Sequence, residues 1–330
     1  MVNAKKYALI DLHLHLDGSM SLECARSLAA KQGMDLPDDA ELLTRLRVSD
    51  DCHDLNEYLE RFALPLSLLQ TADAISESVQ RLSNELDESG LVYAEIRFAP
   101  QLHLQRGLTQ EEVVQAALAG LARGRLNASL ILCCMRGAEN REENRETVRL
   151  VGKYLGKGVC AVDLAGAEAL FPNENFLDIL EYARSLSLPM TLHAGEALGA
   201  DSVLSAIALG ANRIGHGVRS IENPEALALL ARKQIALELC PTSNMNTRVF
   251  ETLSDYPIRT LLNAGIMITI NTDNISVSAT SLQREYQIIA DTFSLTEEEL
   301  SALAINSARA TFLDGQAKTA LVERVKGIVK

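Results

Sequence analysis

The sequence is short of positive charge: 31 Lys and Arg stand against 44 Asp and Glu, a formal net charge of -13. A phosphate backbone or an anionic membrane needs clustered Lys and Arg, so neither nucleic acid nor a membrane surface is an expected partner. The chain also lacks any run near the ~20 unbroken apolar residues of a membrane span. Its opening stretch, MVNAKKYALIDLHLHLDG, holds no apolar segment of signal-peptide length, and a cytoplasmic protein is expected. No CxxC pair occurs among Cys24, Cys52, Cys133, Cys134, Cys160 and Cys240, which predicts reduced structural thiols. Low-complexity segments, internal repeats and linkers rich in Pro, Gly or Ser are missing too. What remains, 330 residues of which 47% are hydrophobic, can bury a large core, and α/β barrels of this length form one domain, here expected over 1–330.

Eight apolar runs punctuate the chain: YALIDLHLHL, LVYAEIRFA, ASLILCCM, GVCAVDLAG, PMTLHAG, NRIGHG, IALELC and IMITINTD. Helical patterns lie between them, some opened by capping boxes such as Thr109 with Glu112 and Thr296 with Glu299. This alternation predicts an α/β fold, a (β/α)8 barrel. The span from about 21 to 88 is too long for one crossover and predicts a helical insert between the first two strands. There Leu55, Tyr58, Leu59, Phe62, Leu66 and Leu69 recur near helical spacing; the pattern alone reads first as packing on the barrel, second as a lid. GAENREENRE, residues 137–146, reads as a solvated helical face.

Side chains alternate along a strand, so His13 and His15 share one face and can reach a single point. They are either half of a metal site or satisfied core histidines. His193, His216 and Asp273 bear on that choice, because each closes a predicted strand, and barrel enzymes build their sites at the C-terminal strand ends. Three imidazoles and a carboxylate suit Zn2+, leaving a position for a water acidified by the metal. Glu196 stands just past His193 beyond a turn at Gly195; it is either a proton-transferring carboxyl or an ordinary first-turn Glu. His216, flanked by Gly215 and Gly217, has room beside its ring for water or substrate and is a candidate base. His53 and His103 are expected on surface or loop segments, and Cys133 and Cys134 point to opposite strand faces. The cytidine-type zinc deaminase pattern of H-x-E with P-C-x-x-C is absent. So is a lysine in the fourth strand that would bridge two metals, which favours a single ion.

The blocks HLHLDGS, EIRFAP, VDLAGAE, TLHAGEA, RIGHGV, CPTSN and INTDN, in this order from Tyr7 to about Leu313, resemble the adenosine deaminase family. The resemblance implies one Zn2+ per chain on His13, His15, His193 and Asp273, Glu196 as proton donor to purine N1, and His216 as the residue orienting and deprotonating the attacking water. His15 is then also at the substrate. It further implies Asp17 on the ribose 5'-hydroxyl, the Gly166 backbone on purine N3, and the helical insert as part of the pocket wall. The implied reaction is deamination of adenosine and 2'-deoxyadenosine to inosine and deoxyinosine, in purine salvage. Asp17 favours nucleoside over free adenine, since relatives acting on the base tend to carry Glu there. Asn274 departs from the family's second aspartate, which contacts N7; an amide donates to N7 directly, whereas a carboxyl must be protonated first. The alternatives are a deaminase of adenine or another 6-aminopurine, and a barrel that binds nucleosides without turnover.

Overall fold

The computed structural model describes residues 4–49 and 51–329. All eight expected strands are present: β1 Ile10–His15, β2 Tyr93–Phe98, β3 Ala128–Met135, β4 Val159–Ala165, β5 Thr191–Ala194, β6 Arg213–His216, β7 Ala236–Leu239 and β8 Ile268–Ile270. They are nearly continuous apolar runs because a parallel sheet covered on both faces exposes neither to water. The strands pair in parallel, in chain order, as β1 to β4 and β5 to β8. Bridges at Val162 with Met190 and at Leu14 with Asp273 join the two stretches. Across the second seam the His15 N–H donates to Asp273 O at 2.8 Å and the Asp273 N–H to His13 O at 2.7 Å. The ring is the expected (β/α)8 barrel, and the last seam is stitched by residues of the predicted metal site.

Helices Gln110–Arg123 and Glu297–Ala310 begin with the two anticipated capping boxes. One apolar cluster, from Tyr7 to Val325, fills the space between strands and helices. In Arg141–Tyr154 the charged side chains face solvent as expected. Its Asn144 is the exception, buried against the Met135 N–H and carbonyl at 2.8 and 2.9 Å.

The insert consists of Leu22–Gln32, Asp39–Leu46, Leu55–Leu59, Ala63–Leu68 and the crossover helix Ala72–Glu88. The crossover packs closely on Gln110–Arg123 because Gly120 has no side chain: a Cβ there would lie 2.3 Å from Ser76 O. The apolar face from Leu55 onward corrects the first expectation. A 3-10 turn at Glu60–Phe62 breaks the helix, and Leu55, Tyr58, Leu59, Phe62 and Leu66 tilt over the barrel mouth as the wall of a cavity. Leu69 turns into the main core. Tyr58 anchors this lid: its hydroxyl lies 2.7 Å from Ser278 Oγ, and with Cys52 it packs on Val277, beyond β8.

Candidate active site

The strand alternation does for His13 and His15 what it predicts, placing both on the inner face of β1 at the mouth. His193 reaches them from β5, and the ligating atoms of His13, His15, His193 and Asp273 all lie within 4.8 Å of one another. β8 ends at Ile270, so Asp273 stands beyond the strand it was expected to close. It takes a left-handed φ of +62° and is held there by its backbone bonds to β1. His216 also has a left-handed φ, +59°. Such conformations cost about 1–3 kcal/mol in a non-glycine residue and persist only where the surroundings impose them.

Carboxylates on other strands, β7 and β4, orient the imidazoles of His13 and His193. His13 Nδ1 donates to Glu238 Oε2 at 2.8 Å, and His193 Nδ1 donates to Asp163 at 3.0–3.1 Å, since an ionised carboxylate only accepts. Both Nε2 atoms therefore keep a lone pair facing the cluster. His13 Nε2 is buried without a hydrogen-bond partner, 3.4 Å from Asp273 Oδ1, and His15 Nε2 lies 3.3 Å from that oxygen and 3.4 Å from His193 Nε2. Ser243 Oγ donates to Asp273 Oδ2 at 2.6 Å, leaving Oδ1 toward the imidazoles.

This donor set fits a divalent cation. Arg97 joins Asp163 and Glu238, and Arg213 joins Glu238 and Glu95. Together with Asp273 the ion-paired network sets four carboxylates against two guanidiniums, and its two surplus negative charges match one doubly charged ion. Burial lowers His13 to about 4 and His15 well below its ordinary value, so both imidazoles are neutral, the form in which a nitrogen can ligate. Burial also disfavours charge on His193, yet Asp163 outweighs it and the net pull is upward. The position attracts positive charge, which a metal supplies in place of a proton. Burial would raise Asp273 too, but the flanking imidazoles hold it well below the carboxylate range.

Beside the donors, His216 Nε2 lies 3.5 Å from Glu196 Oε2. Asn244 spans the pair, its Nδ2 lying 3.1 Å from His216 Nδ1 and 3.4 Å from Glu196 Oε1, while Tyr256 OH donates to its Oδ1 at 3.1 Å. Thr247 Oγ1 donates to Glu196 Oε1 at 3.3 Å. Burial, foremost, raises the Glu196 carboxyl and favours its protonated form. The glycines around His216 do not leave room for substrate as expected. A Cβ at Gly215 would lie 3.1 Å from His13 Cε1, and one at Gly217 would lie 2.6 Å from Leu237 Cδ2, so both make space for packing inside the barrel.

A cavity of about 200 Å³ opens above these groups, with His15, Asp17, Gly166, His193, Glu196, His216, Asp273 and Asn274 on its wall and the lid as its apolar roof. Asp17 sits in a 3-10 turn after β1, its carboxyl pushed up to about 6 by burial. Gly166 has a φ of +110°, which turns the chain after β4. Asn274 Oδ1 is buried without a hydrogen-bond partner, and the side chain lies so close to Gly18 that a Cβ there would come within 1.8 Å of it.

Every predicted site residue therefore borders the cavity or the donor cluster. Sequence reasoning missed Asp163, Glu238, Arg97, Asn244 and Thr247; the available signal was a charged residue inside an apolar strand run, as in CAVDLA and ALEL. His53 lies on an exposed loop as expected. His103 also stands in a connecting segment, the turn Pro100–His103 after β2, but it is fully buried, its Nδ1 2.8 Å from Leu69 O, because that turn tucks under the insert. All six cysteines are buried and unpaired.

Fold and site together define a metal-dependent hydrolase on a (β/α)8 barrel. A family model described as adenosine deaminase matches residues 8–328. An adenosine deaminase from Haemophilus ducreyi is 49% identical, the alignment covering 97% of this chain and 96% of that one. Another from Enterococcus faecalis is 40% identical over 96% and 95%. Among solved structures, the N6-methyl-AMP deaminase from Arabidopsis thaliana matches with a TM-score of 0.84 at 26% identity, covering 98% of this chain and 97% of its own. The chain belongs to the adenosine deaminase family.

Proposed function

We propose that the chain hydrolyses adenosine and 2'-deoxyadenosine to inosine and deoxyinosine, releasing ammonia, with one zinc ion held by His13, His15, His193 and Asp273. One observation carries this reading: an acid and an imidazole, Glu196 and His216, stand 3.5 Å apart beside a cluster of three imidazoles and one carboxylate, under an apolar roof. Three nitrogen donors and one oxygen suit zinc, whereas calcium and magnesium take oxygen. When bound, zinc lowers the pKa of a water toward neutrality and polarises it.

The protein's own groups do the rest. His216 orients the attacking water and takes up its proton. Glu196 protonates N1, so that the ring accepts the electron pair as the C6–O bond forms; the bond from C6 to the exocyclic nitrogen then breaks, ammonia leaves with the proton from His216, and the C6 hydroxyl proton returns to Glu196 as the carbonyl forms. Asp17 holds the ribose 5'-hydroxyl, the Gly166 backbone meets N3, and the Asn274 amide donates to N7. The lid excludes water from the purine face. No helix among the described residues is long and apolar enough to cross a membrane. We assign the protein to the cytoplasm because all six buried thiols are unpaired.

The deciding test is conversion of adenosine to inosine by the purified protein, with its metal content measured on the same sample. A folded sample carrying about one zinc per chain but showing no turnover would sink the proposal. The N7 contact has its own test in 7-deazaadenosine, which carries C–H in place of N7. A hydrogen bond of about 1 kcal/mol predicts that the natural Asn274 binds it roughly fivefold more weakly than a matched purine inhibitor. With Asn274→Leu that discrimination should vanish, since the apolar side chain keeps a similar volume and has no N–H to donate. Equal discrimination by both proteins would show that the contact is not made.

A further inference from the structure

Glu168 follows β4, is fully buried, and forms no part of the cavity wall. Its carboxylate accepts from four consecutive amides of the turn after β5. Oε1 takes the Gly195 N–H at 2.8 Å; Oε2 takes those of Glu196, Ala197 and Leu198 at 3.1, 2.7 and 3.0 Å. The Ser202 hydroxyl adds a fifth bond, to Oε1, at 2.6 Å. Successive N–H groups turned to one point form a concave anion nest, and here the anion is the protein's own side chain. Gly195 makes the curvature possible with a φ of +69°; a Cβ there would meet Val203 Cγ2 at 2.5 Å. Two carbonyls, one near the end of β5 and one within the turn, are held by arginines. Arg136 donates to His193 O at 2.6 Å and Arg219 to Ala197 O at 2.8 Å.

We propose that Glu168 is the positioning residue for Glu196: it clamps the backbone of the turn so that the Glu196 carboxyl is aimed at His216, Asn244 and Thr247 before substrate arrives. The inference rests on the acid role given to Glu196 above. A carboxylate is required because five donors converge on two oxygens. In Glu168→Gln one of those oxygens becomes an NH2 that faces donors with a donor, and the turn must shift to relieve it. A displacement near 1 Å at a catalytic group costs about 100-fold in rate.

A double-mutant cycle tests this with four zinc-loaded proteins: the natural chain, Glu168→Gln, Glu196→Gln and the double variant. Glu168→Gln alone should lower kcat about 100-fold while KM and competitive inhibition by inosine stay within about threefold. In the Glu196→Gln background the same change should lower kcat less than about threefold, because the group it aims is already disabled. Equal losses in both backgrounds would mean general damage to the barrel and overturn the proposal, as would unchanged kcat in the single variant. Near-normal turnover by Glu196→Gln alone would overturn the acid role itself, a result read from a different corner of the cycle. If Glu168→Gln does not fold, Glu168→Asp keeps the charge with a shorter reach. It should show a smaller kcat loss that likewise disappears in the Glu196→Gln background, and an equal loss in both would overturn the proposal.

Discussion

Glu196→Gln is expected to lower kcat for adenosine about 1,000-fold, within the range of 10²–10⁴ that a positioned general acid contributes. KM, bound metal and inosine inhibition should change little. The amide matches the carboxyl in shape and can keep its contacts with Thr247 and Asn244, but it has no proton to deliver to N1. The sign of the pH dependence follows from the same residue. Burial, with Asp273 adding to it, raises the Glu196 carboxyl, while His216 and His193 partly oppose the shift. The active form is the protonated one, so kcat in the natural protein should hold on the acid side of this group's pKa and fall as pH rises through it. The residual activity of Glu196→Gln should lack that alkaline fall. Steady-state rates across pH, with metal content measured on each sample, check both statements. A kcat within about tenfold of the natural enzyme would remove Glu196 from the proton-donor role.

Much of this site was legible because its parts obey short-range rules. Alternation alone puts His13 and His15 on one face, and the barrel's habit of gathering its strand ends brings His193, His216 and Asp273 beside them. The hidden parts depend on closure. Asp163, Arg97 and Glu238 sit on β4, β2 and β7, far apart in the chain, and become one network only when the ring turns their side chains inward. Nothing local to Glu238 says that it will meet both an arginine and a histidine. Spacing alone left the insert ambiguous for a related reason: the same apolar pattern serves a helix lying on a barrel and a broken helix roofing a cavity, and only the family resemblance pointed to the pocket wall. The turn at Glu60–Phe62 decides between them, and its signal lies three residues on in Pro65, which has no N–H to donate to the Arg61 carbonyl. Gly215 was misread because the space it leaves belongs to His13, a neighbour that sequence distance conceals.

Removing one of the four proposed zinc donors should have the largest effect, and Asp273→Ala isolates it best. Asp273 is the one carboxylate in the donor set, and the chain around it is fixed by backbone bonds to His13 and His15 that the substitution leaves intact. The variant should fold, because the barrel seam survives and a buried negative charge is gone. It should emerge from dialysis with well under one metal per chain, since two surplus negative charges in the network become one and the oxygen donor is lost. Metal catalysis contributes several kcal/mol of transition-state stabilisation, so kcat/KM should fall by at least about 1,000-fold. Stability provides an independent readout. An ion that binds only the folded chain stabilises it by RT ln(1 + [L]/Kd), so a chelator should lower the Tm of the natural protein and barely move that of Asp273→Ala. A variant that kept about one metal per chain, turned over adenosine normally and lost Tm on chelation would place the ion elsewhere. The four converging donors would then be an internal hydrogen-bonding cluster, and the surplus charge of the network would need another partner.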